Sequence, residues 1–383
     1  MSNELVSPAA ALEKLPRIEG YLLADPRNLD LLAMAIDLSM AVGDVSRARR
    51  HAEAALAHYP DDVFFMARMG TILMAQQDWN GAANYFGFAL SKNRDIALAY
   101  NLSYCYTWLG KHREAFDTLV GYGAEGPLPP HAVTLLLRAL HHLGELDKAL
   151  VLIEAEMARC DLDPAFLGAA SMVYFDNGNV DESVRLSDLA LAQGARPLEA
   201  LVVSASLALG RADVDSAVKT FNEVLAKYPT EGRSWSGLGL ASMLKRDLPE
   251  AEQQLTQAVK YMPAHVGTLH ALAWCKILLN DLAAAQTIFL QTLEMDRNFG
   301  DSHGGLAVVQ AFFGEKQAAE ASIKRAVGLS RTGLPAKFAR MVLDGEVSDP
   351  VKFRSLVPQL LAGQKGPFGH SLKEVLDDYE KRI

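Results

Sequence analysis

Apolar residues recur along the chain at the i, i+3, i+4 spacing of one helical face, in short blocks separated by polar turns. In SWSGLGLASMLKRDLPEAEQQLTQAVKYMP, Ser234 to Pro263, one face carries Trp235, Leu238 and Gly239, and a second carries Ala251, Leu255 and Ala258. The polar KRDLPE stretch lies between them. This pattern predicts two short amphipathic helices joined by a tight turn.

The unit repeats. Ala149, Ser183, Ala217, Ala251, Ala285 and Ala319 are spaced by 34, and Ala48, Ala82 and Ala115 extend the series upstream with one interval shortened by a residue. Four residues later, on the same helical face, come Phe86, Leu119, Ile153, Phe221, Leu255, Phe289 and Ile323. Pro26, Pro60, Pro127, Pro229 and Pro263 fall between units, where proline ends one helix and lets the next begin. A small residue at a helix crossing lets two backbones approach, and Gly70, Ser103, Ser171, Ala205, Gly239, Ala273 and Ala307 supply a second small position on the first helix of each unit.

Trp235, Leu238, Gly239, Ala251, Leu255, Ala258 and Pro263 resemble the tetratricopeptide repeat in residue type and spacing. The resemblance implies an all-α, right-handed α-solenoid superhelix of about nine helix-turn-helix repeats, beginning near Leu29, Val63, Ile96, Pro130, Pro164, Leu198, Gly232, Val266 and Gly300. The expected organisation is an N-terminal capping helix within 1–28, repeats over 29–331 and a helical cap over 332–383. In that last region, PAKFARMVLDG, DPVKFRSLVPQLLAG and SLKEVLDDYEKRI suggest three further helices. Three glycines and three prolines in GYGAEGPLPP predict a bend near 121–130. Glu156, Ser183 and Ser187 stand where other units have Ala, Leu or Phe, which predicts looser packing in the fourth and fifth repeats.

Charge narrows the partner class. The chain carries 37 Lys and Arg against 46 Asp and Glu, a formal net charge of −9, which argues against nucleic acid because phosphate binding needs a concentrated positive surface. The basic run Arg47, Arg49, Arg50 and His51 reads as a solvated outward face ahead of an anionic docking patch. Neither a bilayer-spanning apolar run nor a secretory start is evident, so no membrane insertion and a cytoplasmic location are expected. Cys105, Cys160 and Cys275 are far apart in sequence and read as small helix residues.

Several motifs match only in form. Gly121, Gly123 and Gly126 spell G-x-G-x-x-G, but a helical repeat precedes them and PLPP follows, where a dinucleotide site needs a strand before and a helix after. Adjacent His141 and His142 diverge by about 100° on a helix, and with His131 they lack a ligand-spaced carboxylate or cysteine. No metal and no cofactor are expected. Asn101-Leu-Ser103 is a sequon within a repeat helix, and it should be unmodified. Nucleophile elbows, P-loops and metalloprotease helices are all missing from the sequence, so the chain is not expected to be an enzyme.

In tetratricopeptide repeats the first helix of each unit lines a concave groove. Carried onto this chain, the resemblance places Phe64, Tyr100, Tyr104, Trp108, His131, Arg138, His141, His142 and Phe175 along it. Tyr100, Tyr104 and Trp108 fall at i, i+4 and i+8, beside the packing stripe of Ala99, Leu102 and Tyr106. Such a row either packs against the next repeat or faces a partner, and Tyr, Trp, His and Arg are the residue types enriched at binding hot spots. The groove positions lack the Lys, Asn and Arg set of the family's carboxylate clamp, apart from Arg138 and Asn101. The expected function is a non-enzymatic, chaperone-like adaptor or scaffold holding a partner peptide or helix. A regulatory sensor of a small peptide or ligand, and a structural subunit that self-associates through its ends, are the alternatives.

Overall fold

The computed structural model describes residues 7–123, 126–158, 162–330 and 333–348. The described residues form twenty α-helices and one 3-10 turn, with no strand. Helix α1 (Pro8–Ala24) leads into α2 (Leu29–Val42) and α3 (Val45–His58), α4 (Val63–Ala75) and α5 (Trp79–Lys92), α6 (Ile96–Trp108) and α7 (His112–Gly123), then α8 (Pro130–His142) and α9 (Leu146–Met157). There follow α10 (Pro164–Asp176) and α11 (Val180–Ala192), α12 (Leu198–Gly210) and α13 (Val214–Lys227), α14 (Gly232–Leu244) and α15 (Leu248–Tyr261), α16 (Val266–Leu278) and α17 (Leu282–Met295), α18 (Gly300–Phe312) and α19 (Lys316–Leu329), and lastly α20 (Leu334–Leu343) with the turn Glu346–Ser348. Two of the three C-terminal helices expected from sequence, and Cys160, lie outside the described residues. No helix among the described residues is long and apolar enough to cross a membrane.

The turn inside each pair has one construction. Its pivot sits in the left-handed region at Gly43, Gln77, Gly110, Gly144, Gly178, Ala212, Arg246, Asn280 and Gly314, with φ between 59 and 84°. Glycine adopts this conformation without strain, and the other residues pay about 1–2 kcal/mol for it. At six of these nine turns the next residue caps the second helix with its side chain. Asp44, Asp78, Asn179, Asp213, Asp247 and Asp281 each accept a hydrogen bond from the backbone N–H three residues on, satisfying an otherwise orphaned donor.

Packing follows the period. Ala48, Ala82, Ala115, Ala149, Ser183, Ala217, Ala251, Ala285 and Ala319 are all completely buried at the crossings. A Cβ added at Gly239 would lie 2.5 Å from Leu255, and one at Gly70 would lie 2.7 Å from Phe86, so these crossings have no room for a larger side chain. The side chain at the same register position also seals the seam to the next unit, since a Cβ at Gly237 would meet Phe221 at 2.2 Å and one at Gly305 would meet Phe289 at 2.3 Å.

Compactness divides the chain into two units, Met1–Leu162 and Asp163–Ile383. In the second, each first helix from α10 to α18 touches the next, and α18 touches α20, whereas neighbouring second helices do not approach one another in this way among the described residues. The first helices therefore form the inner layer of that unit. In the first unit α2 likewise touches α4, and α6 touches α8. A chord also spans non-adjacent helices of the second unit: Arg233 on α14 donates to both carboxylate oxygens of Asp176 on α10, at 2.9 and 2.6 Å, passing over α12.

Helix α1 buries Ala11, Leu15 and Ile18 against α2. Its Glu19 accepts from Arg47 Nε at 2.7 Å and from the Arg47 Nη2, and lies 2.8 Å from His51 Nε2. Arg49 bonds Glu53 and Gln76, so most of the basic run is engaged within the protein. The Arg47 hydrogen bond, reinforced by His51, holds the Glu19 carboxyl below its usual pKa of 4.5. A depressed folded pKa supplies stability above the unfolded value and loses it as pH falls through the folded one. Hydrogen exchange corrected for intrinsic rates should therefore show α1 protected at neutral pH and loosening below about pH 4.5. In Glu19→Gln that pH step should disappear and α1 should exchange faster throughout.

At the alanine position of α11, Ser183 is fully buried and its Oγ has no hydrogen-bond partner among the described residues. Ser187 is also buried, but its hydroxyl donates to the Val184 carbonyl at 3.0 Å. An unsatisfied buried hydroxyl costs about 1–3 kcal/mol, so Ser183→Ala should stabilise the protein by about 1 kcal/mol in a urea melt. A loss of stability would show that the hydroxyl is satisfied in solution.

Candidate functional site

Aromatic rings gather on the inner side of the first unit. Asp95 caps α6 by accepting from the Ala97 and Leu98 amides, and the helix buries Leu98, Ala99, Leu102, Ser103 and Cys105. That packing turns Tyr100, Tyr104 and Trp108 away from the buried stripe. Trp108 is 57% exposed, while Tyr100 and Tyr104 are half-buried.

The rings touch in series. Trp79, the first residue of α5, stacks on Trp108 with centroids 5.1 Å apart and planes 6° apart. Tyr104 meets both indoles edge-on, at 6.1 Å from Trp79 and 6.3 Å from Trp108. Tyr100 lies 6.2 Å from Tyr104, and exposed His131 on α8 meets the Tyr100 ring edge-on at 4.5 Å. Burial, with Tyr104 beside it, pushes the Tyr100 phenol pKa up against the opposing charge of Arg138. Tyr100 is therefore a neutral donor at physiological pH, with Arg138 close to it on α8.

A histidine group adjoins this row. His142 stacks on His112 at 4.2 Å with planes 10° apart, and His141 lies 5.9 Å from His142. Burial lowers the pKa of His112, and its Nδ1 has no hydrogen-bond partner among the described residues. No group of three His, Cys, Asp or Glu is arranged for a metal among the described residues. The buried Cys105 thiol is pushed up to about 11 by burial, which leaves it unreactive. Gly121 and Gly123 end α7 rather than opening a helix, the reverse of a phosphate cradle.

The other predicted groove residues stand apart. Phe64 on α4 is 46% exposed, but the Arg68 guanidinium covers its ring at 3.3 Å while donating to Asp37. Its ring neighbour is Phe65. Phe175 belongs to the second unit, where it packs against the cluster of Met172, Leu201 and Val202. Met66, Asn84, Tyr85 and Phe88 line a pocket of about 270 Å³ between α4 and α5, separate from the row.

Trp79 and His112 were not among the residues read from sequence. Both occupy the first position of a second helix, filled elsewhere by Val45, Leu146, Val180, Val214, Leu248, Leu282 and Lys316. An aromatic ring in a mostly aliphatic register was the signal available.

Comparison with known proteins agrees with this architecture. Models described as Tetratricopeptide repeat match residues 202–264 and 242–309. The curated BBSome complex member BBS4 of Mus musculus is 21% identical over 240 residues, and the match spans 62% of this chain and 46% of that protein's length. Among solved structures, the human IFIT1 dimer with m7Gppp-AAAA superposes with a TM-score of 0.53 at 14% identity, covering 96% of this chain and 94% of that one. A monomeric IFIT1 mutant with Gppp-AAAA gives the same score at 13% identity. At such identities the likeness is one of fold. The 34-residue period, the fully buried crossing residues and the matching repeat models together make this chain a tetratricopeptide-repeat protein.

Proposed function

We propose that the chain is an interaction scaffold that binds a segment of another protein along the inner face of its first unit, by recognition rather than catalysis. The observation that carries this reading is the continuous row Trp79, Trp108, Tyr104, Tyr100 and His131, whose outer indole is 57% exposed on a stacked support. Rings fixed by neighbouring rings offer large contact area at little entropic cost, and Tyr100, Arg138 and the histidines add donors beside them. An extended peptide or one face of an amphipathic helix suits such a row.

BBS4, by its description, is a member of a complex, which fits an assembly role for the repeats shared with it. IFIT1 is solved with m7Gppp-AAAA, and bases also stack on exposed rings. A net charge of −9 favours a protein partner over a phosphate backbone.

An affinity capture with the full chain and with Tyr104→Ala, compared by mass spectrometry, tests the reading. One or more proteins should be retained by the wild type and lost with the variant. Equal recovery by both would remove the row from recognition, and a nuclease-sensitive capture would favour nucleic acid.

A further inference from the structure

The second unit carries an apolar row of its own. On successive inner helices, Leu278 ends α16 and is 57% exposed, Phe312 ends α18 and is 41% exposed, and Leu240 on α14 is 39% exposed. Leu278 and Phe312 hold the same position of successive repeats and Leu240 lies one helical turn before that position, so the three follow neighbouring positions of one helical face. Exposed apolar surface of this kind is costly in water and marks a docking face.

The chain itself holds a matching surface. The described residues end at Ser348, just after α20, whose Phe338 ring lies 6.3 Å from Phe312. Thirty-five residues, 349–383, follow that point. Their final stretch, SLKEVLDDYEKRI, places Leu372, Val375, Leu376, Tyr379 and Ile383 at the i, i+3, i+4, i+7 spacing of one helical face, with charged residues elsewhere. Read as a helix, residues 371–383 would be about 20 Å long. Two steps between inner helices, at about 10 Å each, span the same distance from α14 to α18. The 22 residues 349–370 are ample to connect the two, and a tether of that length holds its end at an effective concentration of about a millimolar.

We propose that residues 371–383 dock along Leu240, Leu278 and Phe312 as an internal occupant of the inner face of the second unit. A partner for that face must then displace the chain's own C-terminal segment. The proposal is independent of the aromatic row in the first unit, and Tyr104→Ala does not test it.

Cysteine pairs in the full chain decide it. Leu278→Cys combined with Leu376→Cys, treated with a short bis-maleimide, should cross-link within one chain about tenfold more than a control pairing Leu290→Cys on α17 with Leu376→Cys, as expected for a held tether. Leu278→Cys alone should also react with a monofunctional maleimide about tenfold more slowly than Leu290→Cys alone, and adding Leu376→Glu should abolish that protection. Cross-links between chains that rise with concentration would overturn the proposal in favour of a second copy. Equal cross-linking in both pairs, or a thiol at position 278 as reactive as that at 290, would overturn it outright.

Discussion

In a urea melt, Phe221→Ala is expected to lose about 3–5 kcal/mol of folding stability, the range for emptying a fully buried aromatic site. The Phe221 ring is completely buried with Ala205, Ala217, Leu225 and Leu238. It also fills the space left by Gly237 on the next repeat, where an added Cβ would stand 2.2 Å away. The ring thus joins a repeat to itself and to its successor. Repeat proteins hold together through such nearest-neighbour seams, so the variant should unfold in a broader transition with a lower apparent m-value as α12–α13 and α14–α15 uncouple. A loss under about 1 kcal/mol would show that the seam collapses around the missing ring.

Trp108→Ala should act on the other side of the ledger, weakening partner binding by about 2 kcal/mol, close to thirtyfold, while costing much less stability than a core aromatic. The indole is more than half exposed and has Trp79 as its main ring support, so truncation removes contact surface without opening a cavity. Its fluorescence should be accessible to acrylamide in the free protein and protected once the partner captured by the full chain is added. Measuring melting temperature and affinity on one preparation separates the outcomes. A stability loss of about 3–5 kcal/mol with unchanged affinity would return Trp108 to the core.

The alanine and aromatic registers were legible from sequence because every crossing meets the same steric demand, and one small residue answers it each time. The turn pivot was harder to see, since Gln77, Ala212, Arg246 and Asn280 adopt the left-handed conformation that Gly43 and Gly110 take without strain. Within the candidate site, Tyr100, Tyr104 and Trp108 share one helix, and helical spacing alone brings them together. Trp79 and His112 enter from the starts of second helices, a tertiary adjacency that no local period encodes. The engagement of Arg47 and His51 was hidden for the same reason, because Glu19, the residue that holds them, lies about thirty residues earlier on a different helix, while Arg49 and Arg50 of that run are exposed as expected.

The Arg233–Asp176 pair makes the second unit respond to its medium as well as to its sequence. An array joined only through adjacent seams yields like a row of hinges, whereas a chord from α10 to α14 makes the stretch beneath it a braced arch. Opening that arch means separating two charges whose side chains are only 28% and 25% exposed, and added electrolyte weakens their attraction. Raising the ionic strength should therefore make the stretch from α10 to α14 more compliant than it is in dilute buffer.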